Sequence, residues 1–219
     1  MLTPSDTVDA VTAGTSGRVY GGQLVQQRRS ERRQQFLAAG LEVFGEAGYP
    51  ASSIKSLCQA AGLARAQFYE HFHNREDLFI AVYDLIQDQA RQAAEAASAQ
   101  SAGESATERV RAAVGAYAES VGRDPRRARI AFVECIGISE RVEQHRIGQR
   151  LVWSRFMESE MRKAFGPDFV PTGGFTAATT GFIGALMALV HQWSSASSDS
   201  GLSDIIDVLT RFLLSLAPH

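Results

Sequence analysis

The sequence predicts an all-α protein of about nine helices. Three observations carry this. Apolar side chains recur at spacings of three and four through most of the chain. No stretch alternates apolar and polar residues as a half-buried strand would, and β-branched runs are few. Gly, Pro and short polar clusters cut the pattern into helix-length pieces. With 219 residues and 45% hydrophobic content, the chain can bury one full core or a small domain fused to a larger one.

The elements follow in order. Residues 1–23 are rich in Thr, Ser, Gly and Asp and read as a disordered tail. From Leu24 the pattern turns helical, with Phe36, Leu37, Leu41, Phe44 and Ala47 on one face and Gly48 as the stop. Ile54, Leu57, Cys58 and Ala61 form a second, short run, capped by Ser52 or Ser53 and ended by Gly62. Phe68 and Phe72 share a face of a third run. Asn74 caps a fourth helix, with Glu76 and Asp77 in its first turn, that continues to about Ala97. After the polar break 98–105, helices are expected over Thr107–Ser120, Pro125–Ile138, Val142–Phe165, Phe175–Ala196 and Leu202–Leu216.

Composition narrows the function classes. A net charge of −2 excludes a uniformly basic coat but not a local basic patch. The two cysteines, Cys58 and Cys135, lie far apart and form no CxxC, which fits a reducing cytoplasm. The first residues have no apolar stretch of the secretory kind. The most apolar window, Phe175–Trp193, contains three threonines, two glycines and His191, so it reads as a buried helix and no membrane contact is expected.

The stretch GLARAQFYEHFHNREDLF, residues 62–79, is the densest in chemistry. Two short helices joined by a glycine turn, with a helix before them, make a helix-turn-helix unit. Its second short helix enters the major groove, while its neighbours brace it on the phosphates. Charge agrees: from Leu24 to Arg75 there are seven basic residues, Arg28, Arg29, Arg32, Arg33, Lys55, Arg65 and Arg75, against four glutamates. The cluster Arg28, Arg29, Arg32 and Arg33 precedes the first apolar face, where a basic arm would reach phosphates or the minor groove.

Residues 30–80 resemble the TetR (tetracycline-repressor-like) family of bacterial transcriptional regulators. The resemblance rests on AAGLEVFGEAGYPASSIKSLCQAAGLARAQFYEHFHNREDLF. Phe44, Gly48 and Tyr49 match the family's F-x-x-x-G-Y. Ser52 and Ser53 stand where threonines would be, and Ala61, Gly62, Leu63, Phe68, Tyr69, His71, Phe72, Arg75, Glu76 and Leu78 follow the rest without a gap. The resemblance implies that Ser53 bonds a phosphate, and that Arg65, Ala66 and Gln67 face base edges. It also implies that Tyr69, His71 and Arg75 hold phosphates. Arg suits guanine and Gln suits adenine by paired donor and acceptor geometry. The chain departs from the pattern at Ala64, which replaces a capping serine, at Ala66, which replaces glycine, and at Cys58, which replaces alanine. For His71 the alternative is packing at a helix end. Chelation by His71 and His73 is not expected, because residues two apart on a helix point to different faces.

The rest of the chain offers no catalytic residues, metal or cofactor: there is no HExxH, phosphate-binding loop or G-x-S-x-G, and GFIGAL lacks the strand a nucleotide fingerprint needs. Ser52–Lys55 matches S-x-x-K by chance, lacking its companions. The resemblance implies a second domain whose helices enclose an apolar pocket for a small effector, and whose last two helices pair with a partner's. Residues 24–75 would then bind DNA, and residues 76–219 would bind ligand and dimerise. Pocket candidates are Tyr117, Phe132, Glu134, Trp153, Phe156, Met157, Phe182, Met187 and His191. Glu134 interrupts the apolar run IAFVECIGI, so it needs a partner, either an arginine such as Arg129 or Arg155 or a ligand. The reading is a homodimeric, ligand-responsive repressor acting on a two-fold double-stranded operator. The rival is a helical metabolite-binding module or enzyme without DNA contact.

Overall fold

The computed structural model describes residues 16–194 and 201–216. Among these it has nine α-helices and no strand. The expected tail lies largely outside the described residues, but α1 spans Ser16–Glu46, so residues 16–23 are helical backbone rather than tail. Once a helix is nucleated, each further residue costs little. The buried face of α1 carries Phe36, Leu37 and Phe44, whereas Ala47 lies past its end and is exposed.

Helix α2 (Ile54–Ala61) starts at Ser53, whose hydroxyl accepts the Ser56 amide at 3.0 Å. It ends at Gly62, where φ is 65°, a left-handed turn that costs glycine no Cβ clash. Helix α3 (Arg65–Tyr69) follows at once. Phe36 fills the centre of this trio, with the Phe68 and Phe72 rings edge-on to it at 5.4 and 6.2 Å. The second helix is thus seated by aromatic packing from behind.

Helix α4 (Arg75–Gln100), capped by Asn74, crosses into the larger part of the molecule. There α5 (Ala106–Gly122), α7 (Glu140–Phe165), α8 (Gly174–Ser194) and α9 (Leu202–Leu214) complete the bundle. The expected helix 125–138 divides: α6 (Pro125–Arg129) runs into one π-helical turn, Ile130–Glu134. The chain then turns at Gly137, and the Cys135 thiol donates to the Ala131 carbonyl at 3.1 Å. One continuous apolar core runs from Phe36 to Leu213.

Candidate nucleic-acid interface and effector cavity

Arg65, Ala66 and Tyr69 are exposed on α3, and Gln67 is half-buried. Arg65 donates to the Tyr69 hydroxyl at 3.1 Å and lies 5.6 Å above its ring. Tyr69 thereby holds the guanidinium extended along the helix. Ala64 gives α3 no side-chain cap; only the reciprocal bond is made, by Gln67, whose carbonyl oxygen accepts the Ala64 amide at 2.8 Å. Its NH2 group stays free for a base edge. Ser53 and Lys55 are exposed at the start of α2.

Other residues sit differently from expectation. Arg28, Arg29, Arg32 and Arg33 belong to α1 and form no arm. Arg32 pairs with Glu70 at 3.2 Å, Arg29 donates to the Glu70 carbonyl at 3.3 Å, and Arg33 lies 5.2 Å over the Phe72 ring. These three fasten α1 to the end of α3, while Arg28 is exposed. Arg75 turns inward: it stacks 4.1 Å over Tyr49 and donates to the Tyr49 and Ser52 carbonyls and the Ser52 hydroxyl. All three bonds come from Nη1, so the side chain is anchored to the α1–α2 loop while Nε and Nη2 keep their donors. His71 packs on Phe36 and Phe72, its Nε2 buried without a partner. Burial, then the nearby Arg29, lowers its pKa, so it packs as a neutral ring. His73 faces the other way, with Nδ1 3.1 Å from Asp77.

The larger helices surround an elongated apolar cavity with a free volume of about 100 Å3. Tyr117, Phe132, Trp153, Phe156, Met157, Phe182 and Met187 line it. Glu134 and His191 lie outside it. His191 packs behind the wall, its ring 6.4 Å from Phe132. Side chains not anticipated from the sequence supply the polar lining: Tyr83, Gln87 and Ser98 on α4, Arg109 on α5, and Gln149, Arg150 and Glu160 on α7. A signal was there for α4: Tyr83, Gln87, Ala90, Ala94 and Ser98 recur at helical spacing, and Gln87 and Ser98 are polar intruders on that face.

Glu134 instead joins the two parts of the molecule. Only 9% exposed, it binds Arg129 at 2.8 Å and accepts the Tyr49 amide at 2.8 Å. Arg129 also donates to the Gly45 and Glu46 carbonyls at 3.3 and 2.9 Å, covering the open end of α1. Gly48 admits this pair: its φ is +85°, and a Cβ there would sit 3.1 Å from both charged groups. Ala131 and Phe132, between the two ends of the clamp, line the cavity.

Residues 36–82 match the family model for bacterial regulatory proteins of the tetR family. The match covers the helix-turn-helix segment, from within α1 into α4. The HTH-type transcriptional activator FasR of Mycolicibacterium smegmatis is 31% identical over 134 residues, which are 58% of each chain. The chain therefore spans somewhat more than half of that relative's length. Among solved structures, Bacillus subtilis FadR in complex with stearoyl-CoA has a TM-score of 0.69 at 18% identity, covering 83% of this chain and 97% of that one. AibR in complex with isovaleryl coenzyme A and operator DNA has a TM-score of 0.64 at 17% identity, covering 84% and 99%. At such identities these structures establish the fold.

Proposed function

We propose that this protein is a ligand-responsive, DNA-binding transcriptional repressor of the tetR family, acting in the cytoplasm and released from its operator by an amphipathic effector of the acyl-CoA class. Residues 24–75 serve as the DNA-binding domain and residues 76–219 as the regulatory domain. One observation carries this reading: α4 begins beneath the exposed α3 and ends as a wall of the apolar cavity. A single rigid rod of about 39 Å therefore belongs to both sites.

The shape of the cavity supports the effector class. Its lining on α4 runs from Tyr83 to Ser98, a rise of about 22 Å. The free volume is well below the ~300–1,000 Å3 of a ligand-sized pocket. A slot so long and thin suits one linear acyl chain, and a filled slot pushes its walls apart. FadR and AibR, which share the fold, are seen with acyl-CoA ligands. A tilt of α4 changes the spacing of two α3 helices across a dimer, against half-sites about 34–36 Å apart.

The dimer follows from uncovered apolar surface. Helix α8 has a mean hydropathy of 1.4 over Gly174–Trp193, long and apolar enough for a membrane span, yet only 28% of it is buried within the chain. Its exposed side carries Ala177, Gly181, Gly184 and Ala188, small residues that admit a close partner helix. Val208 and Phe212 of α9 are 54% and 40% exposed. A second copy covers this face in an isologous four-helix bundle. Phe212→Glu is expected to convert the dimer to monomer in sedimentation velocity; a dimer of unchanged affinity places the interface elsewhere.

The test of function is fluorescence anisotropy with random and genomic duplexes over a salt series, with and without palmitoyl-CoA. Affinity is expected to fall steeply with salt, as counterion release requires, and to fall again on adding the acyl-CoA. A protein that ignores duplex DNA at low salt is not a regulator of this kind and sides with the metabolite-binding rival. Within that assay, Tyr69→Ala is expected to weaken all duplexes alike, because it frees Arg65. Gln67→Ala is expected to relax preference at one base pair. Unchanged affinity and preference in both variants would move the reading surface off α3.

A further inference from the structure

Two tyrosines on the cavity wall have no role in holding the fold's polar groups together. Tyr83 on α4 and Tyr117 on α5 are 7% and 5% exposed, and both line the cavity. Among the described residues neither hydroxyl has a hydrogen-bond partner. Neither oxygen is among the unpartnered atoms that the protein encloses completely, so each keeps an open side on a residue that lines the cavity. Buried phenols ordinarily find a partner. Two that lack one in the same cavity leave two donors without an acceptor.

Their surroundings select the acceptor. Burial raises the pKa of both phenols well above its usual value, and Tyr83 opposes the ionisation of Tyr117, so the pair is close and stays protonated. Gln87, 6% exposed on the same wall, has its carbonyl oxygen taken by the Trp153 indole N–H at 2.9 Å, which leaves its NH2 as a third donor. Asp84, behind them, already accepts from His145 and Gln149 at 2.6 and 2.7 Å. Arg150 is half exposed and faces Glu143 at 3.6 Å. The remaining cavity cation, Arg109, lies at the other end, 3.8 Å from Glu160, so the donors at the tyrosine end are neutral and suit a neutral oxygen with two lone pairs. They do not suit a buried carboxylate, whose charge would go unpaired.

We propose that Tyr83 and Tyr117 bind the thioester carbonyl oxygen of an acyl-CoA. The acyl chain then runs along α4 and α7 towards Ser98 and Phe165. This rests on the acyl-CoA reading of the effector and adds which atom is recognised, and where. The place matters: α4 and α7 run side by side in the same direction, and the tyrosines sit at the end of the cavity nearer the DNA-binding domain. Tyr83 also neighbours Cys135, just past the π-helical turn. The carbonyl is thus read beside the clamp, and the chain fills the far end.

The experiment is direct calorimetric titration of the full chain, without DNA, using three probes: palmitoyl-CoA, the thioether S-hexadecyl-CoA, which lacks only the carbonyl oxygen, and palmitate. Wild type is expected to bind palmitoyl-CoA about tenfold more tightly than the thioether, the size of one to two neutral hydrogen bonds. Y83F/Y117F should erase that difference by weakening palmitoyl-CoA alone. Its melting temperature without ligand should change little, since no protein partner is lost; if the double variant melts early, each single variant is expected to remove part of the difference. Equal binding of the two CoA probes to wild type, or a difference that survives in the double variant, overturns the tyrosine assignment and leaves the acyl-CoA reading intact. Palmitate as the tightest probe overturns the thioester in favour of a carboxylate. Wild type that binds none of the three overturns the effector reading and this assignment with it.

Discussion

Phe36→Ala is expected to destabilise the protein by about 3–5 kcal/mol, the usual cost of emptying a packed phenylalanine site. For a chain of this size that lowers the melting midpoint by roughly 6–20 °C. Phe36 has no exposed surface, and the edges of Phe68 and Phe72 meet it. Nothing nearby is free to collapse into the hole, because Arg29, Arg32 and Arg33 pin α1 to the end of α3. The effect on DNA binding should exceed the effect on the regulatory domain. Helix α3 has only five residues and no side-chain cap of its own at Ala64, so its orientation comes from the aromatic cluster behind it. Circular dichroism melts and anisotropy titrations on Phe36→Ala and Phe36→Leu decide this. A loss under about 1 kcal/mol for the alanine variant would mean the cluster is not what seats α3.

The same cluster shows how far the sequence could be read. Phe36, Phe44, Phe68 and Phe72 announce their faces by spacing alone, and the glycine turn between α2 and α3 follows from Gly62. Burial of a helix face is a local, periodic property, so it is legible in one dimension. The destinations of long side chains are not. Arg75 and Tyr69 look alike as candidate phosphate ligands in the sequence. In the fold one is drawn onto Tyr49 and the other stands in solvent. At Ala64 the capping bond is missing, as the substitution implied, while Gln67 reaches back to the Ala64 amide, a bond the sequence did not announce. The run around Glu134 showed a carboxylate in need of a partner and included Arg129 among the candidates. It did not show that the pair faces α1 instead of the cavity. That depends on the π-helical turn, in which the extra residue per turn sends Ala131 and Phe132 inward. A pattern read at 3.6 residues per turn carries no sign of such a turn.

Removing either half of the clamp is expected to separate effector binding from DNA release. In the intact protein the cavity wall at Ala131–Phe132 and the grip on Gly45, Glu46 and Tyr49 are two sides of one short segment. Tyr49 in turn is held by Arg75 at the start of α4. A ligand that moves the wall therefore moves the loop beneath α2. Coupling of this kind is typically worth about 5–150-fold in affinity. In Arg129→Ala and Glu134→Ala, palmitoyl-CoA should still bind and operator should still bind, but acyl-CoA should change operator affinity by less than about threefold. The two variants should differ in stability. Arg129→Ala leaves a carboxylate only 9% exposed without its cation and uncovers two carbonyls at the end of α1; orphaning a buried charge costs about 3–5 kcal/mol. Glu134→Ala orphans an arginine that is 40% exposed and that keeps the α1 carbonyls, so water offsets much of the loss. Melting curves should therefore rank wild type above Glu134→Ala and Glu134→Ala above Arg129→Ala, while both variants lose the effector response equally. Full acyl-CoA release in either variant would show that the signal travels along α4 alone and that the clamp only fastens the two domains.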